Sequence, residues 1–308
     1  MFNVKSLHPQ CPNALDLLHW MPWFNKDPDG TFAGGHPDQG YLCTDPVAVT
    51  EIMGAAKQCG FDGAFVDWYG FDRIENDATF VMLKVCEALD LKFGLVADPG
   101  MFDLMPSGMA KQDFLISQLL RAGGAYLNNN AYIKDENGKL LLLEFSIGGV
   151  NWPAIVADPR FSQLHIVHEN SGFAWWHSSP DNPVQLAAEQ NVYIPSAFAG
   201  CTDTSSWGKN LNRNIPFNNG QTLLSVLKAI PSTARFIQWV TGNEAYSVPG
   251  LTVGEEGTGF LGNILKAVGL SAKYPKVGIL PIGTVFDAAP VVLPTLARRR
   301  AERRKVIA

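Results

Sequence analysis

The chain has 308 residues, a net charge of −5 and a sequence pI near 5.7, an acidic balance that argues against general nucleic-acid binding. Hydrophobic residues make up 46% of the chain and charged residues 17%, which is typical of a soluble globular protein with a large core. There is no apolar run of about 18 residues that would suggest a membrane span. Nor is a signal peptide visible, so we expect a cytoplasmic protein unless it is exported another way.

Short apolar runs alternate with helical patterns along most of the chain. The first run, residues 14–24, predicts a strand, and the long polar loop that follows it contains His36. Thr44, Asp45 and Pro46 then predict a capped helix that ends near Gly60. Further runs predict strands at 61–66, 91–97, 140–143, 164–167, 192–194, 236–240 and 276–280. Helices are predicted at 76–89 with Asn76 as the cap, at 111–122, 184–189 and 220–230, and a turn at 135–138.

This alternation of strands and helices predicts a parallel α/β fold, a (β/α)8 TIM barrel formed by one domain over residues 1–308. An open doubly wound sheet is the alternative, but its GxGxxG fingerprint is absent. A basic tail at about 294–308 is interpreted as a last helix or a solvated end.

Six predicted strands end in, or are closely followed by, a carboxylate. In parallel barrels the carboxyl ends of the strands meet at one face, where the active site lies. Acidic residues are seldom buried unless they are paired or functional, so the set predicts a cleft lined with carboxylates. Its members are Asp67, Asp98, Glu144, Glu169, Asp203 and Glu244.

Aromatic residues lie beside these acids in the sequence. Their flat apolar faces are suited to stacking on sugar rings, although plain core packing is the other interpretation. Acids with aromatic neighbours favour carbohydrate chemistry. We expect Trp23, Trp68, Tyr69 and Trp207 to line the cleft, with His36 as a further substrate contact.

The order of these motifs resembles glycoside hydrolase family 99, the endo-α-mannosidase type, and the related α-1,3-glucanases of family 71. Trp20 to Phe24 is similar to the family's first strand, and Asp67-Trp68-Tyr69-Gly70 to the end of its second. Residues 193–196, followed by Asp203 and Trp207, are similar to its sixth strand. Asn243-Glu244 resembles the signature after its seventh strand.

The resemblance implies catalytic roles for two glutamates. Glu244 would assist the sugar's own 2-hydroxyl in attacking the anomeric carbon, with Asn243 beside it as a substrate contact. In the family a second glutamate, the general acid and base, follows three residues later, but this chain has Ser247 there. Glu256-Gly257-Thr258 preserves the family's Glu-Gly-Thr triplet at a displaced position. Either Glu256 has kept the acid/base role or the role has been lost.

Barrel geometry alone gives a different pair. Many retaining glycosidases place the acid after strand four and the nucleophile after strand seven, which would be Glu144 and Glu244. A carboxyl separation of about 5–5.5 Å fits retention, and one of about 6.5–9.5 Å fits inversion.

The sequence therefore predicts a glycoside hydrolase acting on an α-linked oligo- or polysaccharide, mannan- or glucan-like. The rival prediction is a non-catalytic carbohydrate-binding or structural barrel. A metal-dependent hydrolase using His168 and Glu169 lacks an HxH or HExxH pair, so we expect neither a metal nor a cofactor. The sequence leaves the oligomeric state open.

Overall fold

The structure, a computed structural model, describes residues 3–22, 42–169, 171–173, 182–198, 201–202, 214–215 and 221–240. These residues all lie in one compact unit, Met1–Lys276. The prediction of a single domain over the whole chain stays a prediction. Across the described ranges, no helix is long and apolar enough to cross a membrane.

The core of the fold is a parallel sheet of seven strands in the order β5-β4-β3-β2-β1-β9-β6. Since neighbouring strands in it are parallel, their carboxyl ends lie at one edge of the sheet. A small antiparallel ladder pairs β7 with β8. The strands are β1 Leu15–Trp20, β2 Gly63–Trp68, β3 Lys92–Ala97, β4 Leu140–Glu144, β5 Leu164–His168, β6 Ser196–Ala197, β7 Cys201–Thr202, β8 Asn214–Ile215 and β9 Phe236–Trp239.

Helices connect most of these strands, as the sequence predicts. They are α1 Pro46–Gln58, α2 Ile74–Ala88, α3 Lys111–Ala122, α4 Trp152–Ala157, α5 Pro183–Gln190 and α6 Gln221–Ala229. Short 3-10 turns cover Val4–Leu7, Pro99–Leu104 and Pro159–Phe161, and a π turn covers Gly123–Leu127. The cap predicted for α1 is confirmed, because the Asp45 side chain accepts from Val47 N and Pro46 opens the helix.

Two local predictions are wrong. The N-cap of α2 is Arg73, not Asn76; Asn76 lies in the first turn, where its side chain accepts a hydrogen bond from Tyr126 at 2.7 Å. The sixth strand begins at Ser196, not at residue 192. Ile194 instead forms an isolated parallel bridge with Phe173, because tertiary pairing rather than apolar character decides which residues join the sheet.

The order of the sheet departs from that of an eight-stranded barrel. The predicted seventh strand, β9, pairs directly with β1, with Leu15 opposite Phe236 and Leu18 opposite Trp239. An eighth strand therefore has no place between them at these residues. The predicted strand at 276–280 lies outside the described residues. What the structure shows is a curled, partial barrel of parallel strands covered by helices.

The two faces of the sheet follow from its register, since paired residues lie on the same face and successive residues alternate. One face carries Trp68, Ala97 and Glu144 in register. It is the face toward the helices, because Trp68 contacts Tyr126 in the π turn that follows α3. The opposite face, which we call the inner face, carries Asp67 in register with Val96.

Candidate active site

The predicted site residues that the structure describes all follow, or end, neighbouring strands at the carboxyl edge. Asp67 and Trp68 end β2 and Tyr69 follows it, Asp98 follows β3, Glu144 ends β4 and Glu169 follows β5. The other predicted site residues lie outside the described residues: Trp23, His36, Asp203, Trp207, Asn243, Glu244 and Glu256. The structure thus describes six of the thirteen predicted site residues, the part built by β2 to β5.

Alternation along the strands divides this group. Asp67 lies on the inner face of β2 and is only 2% exposed. Asp98 follows Ala97 and Glu169 follows His168, so each lies one step beyond a residue of the helix-facing side. Successive residues alternate, which brings Asp98 and Glu169 to the inner side at the mouth of the sheet.

Asp98 is fixed by the backbone around it. Its own N–H donates to Trp68 O at 3.1 Å, and its Oδ1 accepts from Gly100 N at 2.6 Å as it caps the 3-10 turn. Burial raises the pKa of Asp98 to about 6, and the carboxylates of Asp103 and Glu169 add to the rise. Gly100 N and the Arg73 guanidinium oppose it. Asp98 therefore changes its charge near neutral pH, a property often found in site carboxyls.

Tyr69 and Arg73 form the side of the site next to Asp98. The Arg73 guanidinium lies 5.3 Å from the centre of the Tyr69 ring and donates to Gly100 O at 2.9 Å and to Asp103 Oδ2 at 3.0 Å. A side chain at Gly100 would meet the Tyr69 ring at 2.8 Å, so the close approach requires glycine. An aromatic ring and a guanidinium from the loop after β2, together with a carboxyl that follows β3, are suited to a polyhydroxylated ligand. Sequence reasoning missed Arg73, which no motif marks.

Glu144 is held on both of its carboxylate oxygens. Oε2 accepts from Ile147 N at 2.8 Å, and Oε1 accepts from His168 Nδ1 at 2.7 Å. Its side chain is 8% exposed and lies on the helix-facing side, where Trp152 packs edge-on against His168. This geometry is typical of a structural carboxylate that fixes a turn, and it favours that role over general acid catalysis.

Glu169 lies beside the same turn. The Ser146 hydroxyl donates to Glu169 Oε2, and Glu169 N donates to Glu144 O at 3.1 Å. Ser146 is exposed and has a φ of 51°, in the left-handed region that few non-glycine residues adopt. Sequence reasoning missed Ser146 as well, because nothing in the sequence marks the turn that brings it to Glu169.

The prediction that Trp68 lines the cleft is wrong. Its side chain is fully buried and packs edge-on against Phe71 and Tyr126, with Nε1 donating to Asn76 Oδ1 at 3.4 Å. Trp68 lies on the helix-facing side because its neighbour Asp67 takes the inner one. It therefore offers no face for stacking on a sugar.

Within the described residues, no group of three or more His, Cys, Asp or Glu side chains is arranged to hold a metal ion. His19 is fully buried in β1, and burial lowers its pKa to about 3, so it is neutral.

Comparisons with known proteins identify the fold. No protein-family model and no curated protein sequence matches the chain. The structure of the GH99 endo-α-mannosidase from Bacteroides thetaiotaomicron with bis-tris propane superposes with a TM-score of 0.60 at 14% identity, covering 76% of this chain and 85% of that one. A second structure of the GH99 endo-α-mannosidase from this organism gives 0.58 at 13% identity, covering 82% and 95%.

The chain has a GH99-like fold. The resemblance inferred from the sequence motifs is thus confirmed at the level of the fold. In this chain Asp67, Tyr69, Asp98 and Glu169 lie at the carboxyl edge of the sheet. This is the edge at which parallel barrels have their active sites.

Proposed function

We propose that the protein is a glycoside hydrolase that cleaves an α-linked, mannan- or glucan-like glycan. The observation that carries the proposal is the GH99-like fold, whose solved representatives are described as endo-α-mannosidases. The acids at the mouth of the sheet support it, because glycosidases cleave with paired carboxyl groups. We also propose that the partial barrel is a variant of the (β/α)8 type.

In this proposal two glutamates perform the chemistry. Glu244 assists the 2-hydroxyl of the sugar in attacking the anomeric carbon, and Glu256 protonates the leaving oxygen and then activates water. The support for these roles is the order of motifs around Asn243 and Glu244 in the sequence. The engagement of both oxygens of Glu144 supports leaving it out of the catalytic pair.

The described part of the edge would bind the sugar. Asp98 and Glu169 are suited to hydrogen bonds with sugar hydroxyls, and Tyr69 to contact with a ring face. Asp67, deeper on the inner face, is suited to the innermost hydroxyl. Further contacts are proposed for Trp23, His36, Asp203, Trp207 and Asn243.

The proposal is tested by incubating the full chain with a panel of α-mannan and α-glucan oligosaccharides and analysing the products by chromatography and mass spectrometry. We expect release of shorter oligosaccharides from at least one member of the panel. A folded chain that neither cleaves nor binds any of these glycans would contradict the proposal.

The second candidate function is a non-catalytic glycan-binding barrel. One observation favours it: Ser247 stands where the family has its second glutamate, three residues after Glu244. The same panel separates the two functions, because the binding protein would show affinity for a glycan without releasing any product.

A further inference from the structure

The turn after β4 brings Ser146 into contact with Glu169, which follows β5. Its first end is fixed by Phe145 N, which donates to Ala97 O at 2.9 Å. Its second end is fixed by Ile147 N, which donates to the Glu144 carboxylate at 2.8 Å. Between these two bonds Ser146 is held at a φ of 51°.

The Glu144 carboxylate, which fixes the second end of this turn, is itself held rigidly. The second oxygen of Glu144 accepts from His168 Nδ1 at 2.7 Å, and Trp152 packs against the His168 ring. The Glu144 side chain is nearly buried, so its bonds are little weakened by water. The conformation of Ser146 is therefore imposed by its surroundings.

Glycine adopts a left-handed φ without steric cost, whereas serine does not. The serine hydroxyl, however, donates to Glu169 Oε2, a bond that glycine cannot make. Strained non-glycine residues of this kind cluster at functional sites. The bond restricts the Glu169 carboxylate at the mouth of the sheet, on the same side as Asp98.

We propose that Ser146 is a positioning residue for glycan binding, whose hydroxyl holds the Glu169 carboxylate in the orientation that contacts the sugar. This inference rests on the proposed function of the site. Glu144 fixes the turn that carries Ser146. This buried acid thus has a structural role rather than a catalytic one.

Two variants separate positioning from stability. Ser146→Gly relieves the backbone strain and removes the hydroxyl, so we expect the Kd for an α-mannan oligosaccharide to rise about 5- to 10-fold while Tm stays within about 2 °C or rises. Ser146→Thr keeps the hydroxyl but places a β-branched residue at positive φ. We expect its Kd to stay within about twofold while Tm falls by a few degrees.

The control is Asp90→Gly. Asp90 is exposed, has a φ of 52° and follows α2, at the end of the helix that leads into β3 and hence away from the carboxyl edge. Relief of strain there should raise Tm without changing Kd.

Isothermal titration calorimetry of the four full-length proteins, each also carrying Glu244→Gln so that the glycan is not cleaved during the titration, and thermal unfolding of the same proteins decide the matter. Affinity lost in Ser146→Gly and kept in Ser146→Thr supports the positioning role. An unchanged Kd in Ser146→Gly, or a Kd that follows Tm across the variants, overturns it while leaving the proposed function standing. A wild-type chain that binds none of the glycans overturns the proposed function, and the role of Ser146 with it.

Discussion

At the scale of single residues, the carboxyl groups of the site differ strongly in their burial and hydrogen bonding. Asp98 is half-buried beside other acids and has a raised pKa, while Glu144 is nearly buried and bonded on both oxygens. Both surroundings depend partly on residues that lie far away in the sequence, Arg73 and Glu169 for Asp98 and His168 for Glu144.

Asp98→Asn tests the effect of the raised pKa of Asp98 on stability. Because the pKa of Asp98 is raised to about 6 in the folded protein, the folded state binds its proton more tightly than the unfolded chain. Its contribution to stability is therefore present below pH 4 and is lost as pH rises from about 4 to about 6. Asparagine still caps the turn through Gly100 N.

We therefore expect Asp98→Asn to have a Tm about 2 °C above that of the wild type at pH 8, with the difference vanishing near pH 4. Thermal unfolding over this pH range measures it. A wild-type protein that is stabilised between pH 4 and 6 by loss of the proton would contradict the assignment.

At the scale of elements, local patterns predicted some boundaries and missed others. The bounds of α3, Lys111–Ala122, match the predicted helix, and the turn at 135–138 is confirmed by the bond from Gly138 N to Asp135 O. These features depend on periodicity and turn chemistry within a few residues. The two-residue strand β6 depends on pairing with β9, which is distant in sequence, so its position could not be predicted.

In the site too, local sequence patterns predicted some features and missed those that depend on distant residues. The positions of Asp98 and Glu169 just after their strands follow from apolar runs that end in acids. The faces of Trp68 and Glu144 do not, because a strand buried on both sides has no polar alternation to reveal its orientation. Ser146 was beyond prediction, since its role requires a turn and a second strand.

Gly63→Ala tests the close packing of two neighbouring strands. A Cβ at residue 63 would lie 1.9 Å from Lys92 O, so β2 and β3 would have to separate. We expect the free energy of unfolding to fall by about 3 kcal/mol, at the upper end of overpacking costs. Urea unfolding measures the change.

Gly123→Ala is the matched control for this substitution. Its added Cβ has no atom within 4 Å, and its φ of −51° is helical. We expect it to be neutral or slightly stabilising. A loss of stability equal to that of Gly63→Ala would show that the close approach to Lys92 is not the cause.

At the scale of the whole molecule, a buried carboxylate joins the first strand to the last described one. Asp16 is fully buried, and its Oδ1 accepts from Trp239 Nε1 at 2.7 Å and from His8 Nε2 at 3.0 Å. Lys5 approaches its Oδ2 at 3.4 Å. The N-terminal segment, β1 and β9 are thus linked by one side chain.

Asp16→Ala would leave the polar groups of His8 and Trp239 buried without this acceptor. Removing one partner of a buried charged pair typically costs about 3–5 kcal/mol, and we expect a loss of that order. The partly exposed surface pair of Lys84 and Glu87 provides the control, because Lys84→Ala should change stability little. Equal effects of the two substitutions in urea unfolding would contradict the linking role of Asp16.

The central proposal is that this protein, which has a GH99-like fold, hydrolyses a glycan with Glu244 at its catalytic centre. The most direct test is the kcat of Glu244→Gln on the glycan that the wild type cleaves best, with Glu256→Gln alongside. We expect Glu244→Gln to lower kcat by about 10²-fold or more with its fold intact, and Glu256→Gln to do the same if the displaced loop carries the acid. An active enzyme whose kcat is unchanged by Glu244→Gln would contradict the claim.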